Sequence, residues 1–367
     1  AMLRPFVEEV AGRGPDTRHA IGRAALTRAL EQIRGRLRPL LTPVADSIWE
    51  AHAGMLALEV GITTVVGILR QGADRGGLGK LDKITLASFL RQHGALTEAV
   101  SSPALASLLG HTVHASERRP LAPDAIAAGV GVRALLDLVA TYDGACYVAP
   151  VDGGDALLAA LIAGIEARGG RLAWLHRADV VEFADTGAPQ LAFDVLGRAR
   201  GGGYAYPARA AAGSPGPPWF AEAPDPDALI GPPPRAADVR AGRSVVRRRV
   251  LRVGRDVDAL VLALEADGAA RVLRESGDRG LEWARVLDAL DPGASAGEAR
   301  RRALLPAAVT ARLQADGTGC AGLFVAGDLA DAGTRAASPE SDAIGALRAS
   351  RAICGYPPRD PVGGDGL

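Results

Sequence analysis

The sequence predicts an α/β protein whose first part is mostly helical. Three observations carry this. Before Cys146 apolar residues recur at helical spacing. After Cys146 helical stretches alternate with short apolar runs of strand chemistry. Near the C-terminus a buried-type strand, a Gly-Asp turn and a helix with a strong start follow one another over Gly322–Ile353. The expected division is a helical substrate or cap domain over 1–145 and an α/β domain over 146–367. An irregular Gly/Pro-rich connection at 199–242 interrupts the second.

The chain has 367 residues, of which 48% are hydrophobic and 23% charged. That length suggests two domains, and that composition supplies a core. The 42 basic residues balance 42 acidic ones. Nucleic acid is therefore excluded as the expected partner, because phosphate binding needs a basic excess. All but two of the basic residues, Lys80 and Lys83, are arginine. Cys146, Cys320 and Cys354 lie far apart with no CxxC, so neither a zinc site nor a disulfide scaffold is expected. No long apolar run marks a signal peptide at the start, and a cytoplasmic location is the expectation.

Residues 18–40 read as a helix carrying Arg18, Arg23, Arg28, Arg34, Arg36 and Arg38. A solvated helix face is the expectation for these arginines, with peripheral contact to anionic lipid as the alternative. Residues 44–71 read as a buried helix or helix pair. The stretch Gly54–Leu69 is short for a membrane span and is interrupted by Glu59. Asp82–His93 reads as a helix capped by Thr85 or Asp82 and ended by Gly94. Pro103–Gly110 and Pro123–Tyr142 read as helices too. His111 and His114 lack accompanying carboxylates, so no metal site is expected.

Past Cys146, a helix over Asp155–Arg168 ends at Gly169-Gly170. Leu172–Leu175 and Val180–Phe183 have strand chemistry, as do Ser244–Val253 and Asp258–Leu264. The run DALVLAL is continuous and predicts a strand covered on both faces. A helical stretch is expected over Leu281–Leu290. Leu323–Ala326 is a further buried strand, ending in Gly327-Asp328. A helix follows over Ser338–Cys354, with Ser338 as its cap and Pro339, Glu340 and Asp342 in its first turn. A strand end places Asp328 where open α/β sheets bind ligands, and the helix start points N–H donors at the same crevice.

The segment GLFVAGDLADAGTRAASPESDAIGALRASRAICGYP resembles the C-terminal flavin signature of the amine oxidase and phytoene desaturase superfamily of FAD-dependent oxidoreductases. YVAPVDGGDALLAALIAGIEARGGRLAWLHRADVVEF is similar to that family's middle segment, and DVDALVLAL to one of its strands. The likeness runs over about residues 80–355. It implies a flavoprotein-like (FAD/NAD(P)-binding) sheet in the second domain and FAD as cofactor. Asp328 would bind the ribityl–diphosphate region, and Gly327 would permit close approach. Backbone at Glu340, Ser341 and Asp342 would face the flavin pyrimidine edge, and backbone near Arg177 and Ala178 would pass the adenine. The substrate would be an apolar isoprenoid, polyene or amine-type molecule.

The family's strand–GxGxxG–helix opening has no counterpart here. The nearest match, Gly129-Val130-Gly131, lies inside a helical pattern. The resemblance thus implies an incomplete sheet, with the nucleotide-binding half supplied by a second polypeptide or lying outside these residues. The alternative is a flavin-free descendant acting as a cyclase, an isomerase or a non-catalytic partner subunit. An unrelated helical binding module is the third reading. No acid or base stands out as a catalytic side chain.

Overall fold

The computed structural model describes residues 23–45, 49–113, 120–142, 153–183, 187–197, 208–209, 219–220, 227, 229–231, 245–264, 266–273, 285–286, 289, 304–331 and 339–356. Helices and small sheets are mixed in it. Contacts divide the chain into two compact units. One comprises Ala1–Ala145, Ala259–Arg274 and Asp278–Leu367, the other Cys146–Asp258 and Glu275–Gly277.

The first unit opens with α1 (Arg23–Ala45) lying antiparallel to α2 (Trp49–Gln71). Their shared seam holds Leu30, Leu37, Ile62, Val65, Val66 and Leu69. Arginines of α1 bind partners within the chain. Arg23 Nη2 donates to Leu69 O at 2.6 Å and pairs with Asp74 at 2.5 Å. Arg34 donates to His93 O at 2.9 Å. Arg38 pairs with Glu59 at 2.6 Å and also donates to Gly94 O. The solvated face expected from the sequence is thus partly a set of clamps. Carbonyls at the end of the helix before Gly94 have no intrahelical donor, and guanidiniums supply one.

By length and composition Ala51–Gln71 would suffice to cross a membrane, yet 61% of its most apolar stretch is buried inside the protein. Its middle carries the buried polar residues Glu59, Thr63 and Thr64. Each has a partner: Arg38 for Glu59, Arg34 for Thr63 and Val60 O for Thr64.

A 3-10 turn at Leu78–Leu81 precedes α3 (Leu86–Gln92). The Thr85 hydroxyl accepts from Ser88 N at 3.2 Å, so Thr85 is the cap. Gly94, at φ +81°, ends the helix as its sequence position predicts. α4 (Pro103–Val113) and α5 (Ala128–Tyr142) complete the helical core around Leu86, Phe89, Leu90, Leu109, Ile126 and Val130.

His93 sits at the α3 terminus with its ring centroid 4.8 Å from that of Phe89. Gln71 Nε2 lies 3.4 Å from its Nε2. Burial first, then Arg70 and Arg34, push its pKa below the ordinary 6.5. The unfolded chain therefore holds more protons than the folded one between the lowered value and about pH 6.5. Stability is full above that window and falls as pH drops through it. Replacing His93 by glutamine is expected to flatten the decline of the urea midpoint below about pH 6.5. An unchanged slope would assign that decline to other groups.

In the second unit α6 (Gly153–Ala167) ends at Gly169 (φ +81°), with Gly170 N donating to Ile165 O at 2.9 Å. The expected Gly-Gly stop is therefore the observed one. β1 (His176–Phe183), β2 (Pro189–Val195) and β3 (Arg247–Arg252) form an antiparallel sheet in that order. Leu172–Leu175 is not a strand, because Leu175 adopts φ 60° in a turn. β2 went unrecognised in the sequence: Leu191, Phe193 and Val195 alternate along it, but the face it buries carries Ala192 and Asp194.

Back in the first unit, β4 (Leu260–Leu264) is followed by α7 (Ala266–Leu273), α8 (Pro306–Ala311), β5 (Leu323–Gly327) and α9 (Pro339–Cys354). Leu304 and Val309 join the helical core, and Ala127 N donates to Leu304 O at 2.7 Å. Among the described residues β4 is covered on one face: Leu262 is buried while Val261 is 39% exposed. A continuous apolar run does not specify two covered faces when one face lacks a neighbour. Of the expected helix at Leu281–Leu290, only Arg285, Val286 and Ala289 are described.

Candidate functional site

β4 and β5 pair in parallel, from Leu260 opposite Leu323 to Leu264 opposite Gly327. Thr318 Oγ1 donates to Leu323 O at 2.8 Å, and Val325 N donates to Ala315 O at 2.9 Å. The strand thus has a hydrogen-bonded neighbour on its other side as well. Both strands end together at Leu264 and Gly327.

Gly327 has φ +69°, and a Cβ there would lie 2.8 Å from Leu264 O. Only glycine lets the chain turn this closely against the neighbouring strand. Asp328 N then donates to Leu264 O at 3.3 Å. The Asp328 side chain stands half-buried just beyond the carboxyl ends of the parallel pair. Leu329 and Ala330 anchor the turn in the interior. Leu313 N donates to Leu329 O at 2.9 Å and Asp331 N to Leu313 O at 2.7 Å. The turn is therefore held from both ends.

α9 crosses this turn. A Cβ on Gly345 would lie 3.7 Å from Gly327 N and 4.0 Å from Ala330 Cβ. Two glycines thus face each other where helix and strand end meet, which permits close packing. Arg348 Nη1 donates to Asp331 O at 2.9 Å and ties the helix to the loop. Ile344 and Ala349 supply the buried face. Gly345 and Arg348 were not singled out in the sequence. A glycine inside an otherwise helical pattern is the signal for such a crossing.

The strand end, Gly327 and Asp328 therefore come together with the middle of α9. Glu340 and Ser341 lie in the first turn of that helix, and the Asp342 side chain is exposed. The proposed cap Ser338 lies outside the described residues. Arg177 and Ala178 belong to β1 in the second unit. Arg177 there pairs with its cross-strand neighbour Asp194 at 2.6 Å, and both are buried or nearly so. Ala178 lies opposite Phe193.

Gly129 and Gly131 lie in α5, as the helical pattern requires. A Cβ on Gly129 would meet Asp82 Oδ1 at 2.4 Å and Leu78 O at 2.5 Å. One on Gly131 would meet Leu86 Cδ2 at 2.7 Å. The chain itself fills the space that a phosphate would need, so these glycines serve helix packing.

Among the described residues no group of three metal-ligating side chains exists, and His114 lies outside them. Cys320 and Cys354 are in no disulfide, and Cys146 is not among the described residues. Chemically, the turn offers a carboxylate, an acceptor-only group suited to sugar or ribityl hydroxyls. No protein-family model, no curated protein and no solved structure matches this chain.

Proposed function

We propose that the chain is part of an FAD-dependent oxidoreductase acting on an apolar isoprenoid, polyene or amine-type small molecule. The observation that carries this reading is the parallel strand pair ending at Gly327-Asp328 with α9 crossing it at Gly345. It stands beside the sequence resemblance of Gly322–Pro357 to a flavin signature. In this reading the flavoprotein-like sheet is incomplete. The end of β5 would meet the ribityl part of FAD, because the half-buried Asp328 carboxylate stands there and a carboxylate can accept from hydroxyls. Gly129-Val130-Gly131 does not fit the diphosphate, because Asp82 and Leu86 occupy its surroundings. A second polypeptide, or sequence outside these residues, would hold that half.

FAD, when bound, supplies the hydride-accepting chemistry. Asp328 would orient it, and the N–H groups of Glu340, Ser341 and Asp342 would face its pyrimidine edge. The Asp342 carboxylate would add negative charge beside that edge.

The packed glycines of α5 favour a second reading, a flavin-free descendant working as a cyclase, isomerase or partner subunit. One titration separates the two. Adding FAD to the full chain is expected to quench flavin fluorescence, and Asp328→Ala to weaken that binding about tenfold or more. Wild-type protein that leaves the fluorescence unchanged would favour the flavin-free reading. Equal binding by Asp328→Ala would remove Asp328 from the site.

A further inference from the structure

β3 is built unlike the rest of the chain. Arg247, Arg248, Arg249 and Arg252, with Arg255 in the following turn, are all exposed. Arg248 pairs with Asp179 at 2.8 Å, Arg252 Nε donates to Gln190 Oε1 at 3.3 Å, and Arg255 stands 4.0 Å from Asp256. Arg247 and Arg249 have neither an ion pair nor a side-chain hydrogen bond among the described residues. Alternation along a strand puts these two on one face, about 7 Å apart. In a chain with balanced charges, this is a local concentration of unmatched positive charge.

The backbone points the same way. β3 is an edge of its sheet among the described residues. Val253 N donates to Pro189 O at 3.1 Å. Antiparallel alternation then turns the backbone groups of Arg249 and Leu251 toward β2, and those of Arg248 and Val250 outward. The next outward N–H, that of Arg252, already donates to the Asp256 carboxylate at 3.0 Å. Val246 and Val250 are 46% and 39% exposed beside these groups.

We propose that the outer edge of β3 is a docking strand for an acidic, extended segment of another polypeptide. The segment adds as a further strand, bonding through its main chain to Arg248 and Val250. Its alternate side chains repeat at the same spacing as those of β3, so carboxylates two residues apart fall opposite Arg247 and Arg249. An apolar residue between them covers Val250. A phosphate chain or a lipid headgroup would match the charges but leave the edge N–H and C=O groups unused. This inference does not rest on the flavin reading, because no residue of β3 is assigned to the flavin.

The test uses the full chain and a fluorescein-labelled peptide of alternating glutamate and valine, followed by fluorescence anisotropy. Saturable, salt-weakened binding is expected. Arg247→Glu with Arg249→Glu should weaken it about tenfold or more. Val250→Pro removes an outward N–H while keeping every charge and the ladder to β2, and should weaken it comparably. A readout without mutation is amide exchange: Arg248 and Val250 should gain protection when the peptide binds. Absence of peptide binding, or binding that leaves both amides unprotected, would overturn strand addition. Tighter binding to oligodeoxythymidylate or to phosphatidylserine vesicles than to the peptide would show an edge that reads phosphate instead, and would overturn it too.

Discussion

Arg38→Ala is expected to lower the unfolding free energy by about 3 kcal/mol. Glu59 lies in the middle of α2 with its side chain at 0% exposure, and Arg38 is its charged partner at 2.6 Å. The second carboxylate oxygen, Oε2, is buried and has no partner. Removing the guanidinium would strand a buried charge among apolar helices. It would also release Gly94 O at the end of α3, which Arg38 caps. Arg38 is itself 34% exposed. Solvent therefore screens part of its attraction, and the expected loss sits at the lower end of what breaking a buried pair costs. Urea denaturation of wild type and variant measures the difference. The double replacement Arg38→Met with Glu59→Leu should recover most of it, since two apolar groups leave no charge to satisfy. A single variant within about 0.5 kcal/mol of wild type would show that water reaches Glu59.

Gly327→Val is expected to cost about 3 kcal/mol, by two routes that act at one residue. The backbone at φ +69° is strained for any β-branched side chain. The new Cβ would also stand 2.8 Å from Leu264 O, which is backbone and cannot rotate away. The two strand ends would have to separate, and Asp328 would move with them. Thermal unfolding should show the loss, and any FAD affinity of the chain should fall in parallel. Gly345→Ala makes the useful contrast. Its Cβ would meet neighbours at 3.7 to 4.0 Å, ordinary contact distances, so little destabilisation is expected there. If Gly327→Val were as stable as Gly345→Ala, the turn would be looser than its geometry indicates.

Local chemistry was legible wherever a residue acts on its own neighbours. Thr85 caps α3, Gly94 and Gly169 end helices, and the Gly327-Asp328 turn closes β5, each as its position in the pattern predicts. Those signals are short-range, set by φ preference and by one side-chain hydrogen bond. Misreadings fell where a distant partner decides. The expected helix at Asp82–His93 begins only at Leu86, and the buried Asp82 faces Gly129 across the core. β2 gains its strand character from pairing with both β1 and β3, with Asp194 matched to Arg177.

The sequence by itself determined the helical character of the first part, the strand–turn–helix unit at Gly322–Ile353, and the helical setting of Gly129-Val130-Gly131. Hydrophobic period and turn residues are properties of the chain written in order, so they need no fold to be read. Only the tertiary structure decided what those pieces touch. It turned Arg23, Arg34 and Arg38 of α1 from an expected solvent face into clamps on α2 and the end of α3, while Arg28 and Arg36 stay exposed. It filled the space around the α5 glycines with Asp82 and Leu86, and it set Gly345 of α9 against Gly327. Each of these depends on residues far apart in the chain meeting at van der Waals distance, and composition and spacing carry no record of that meeting.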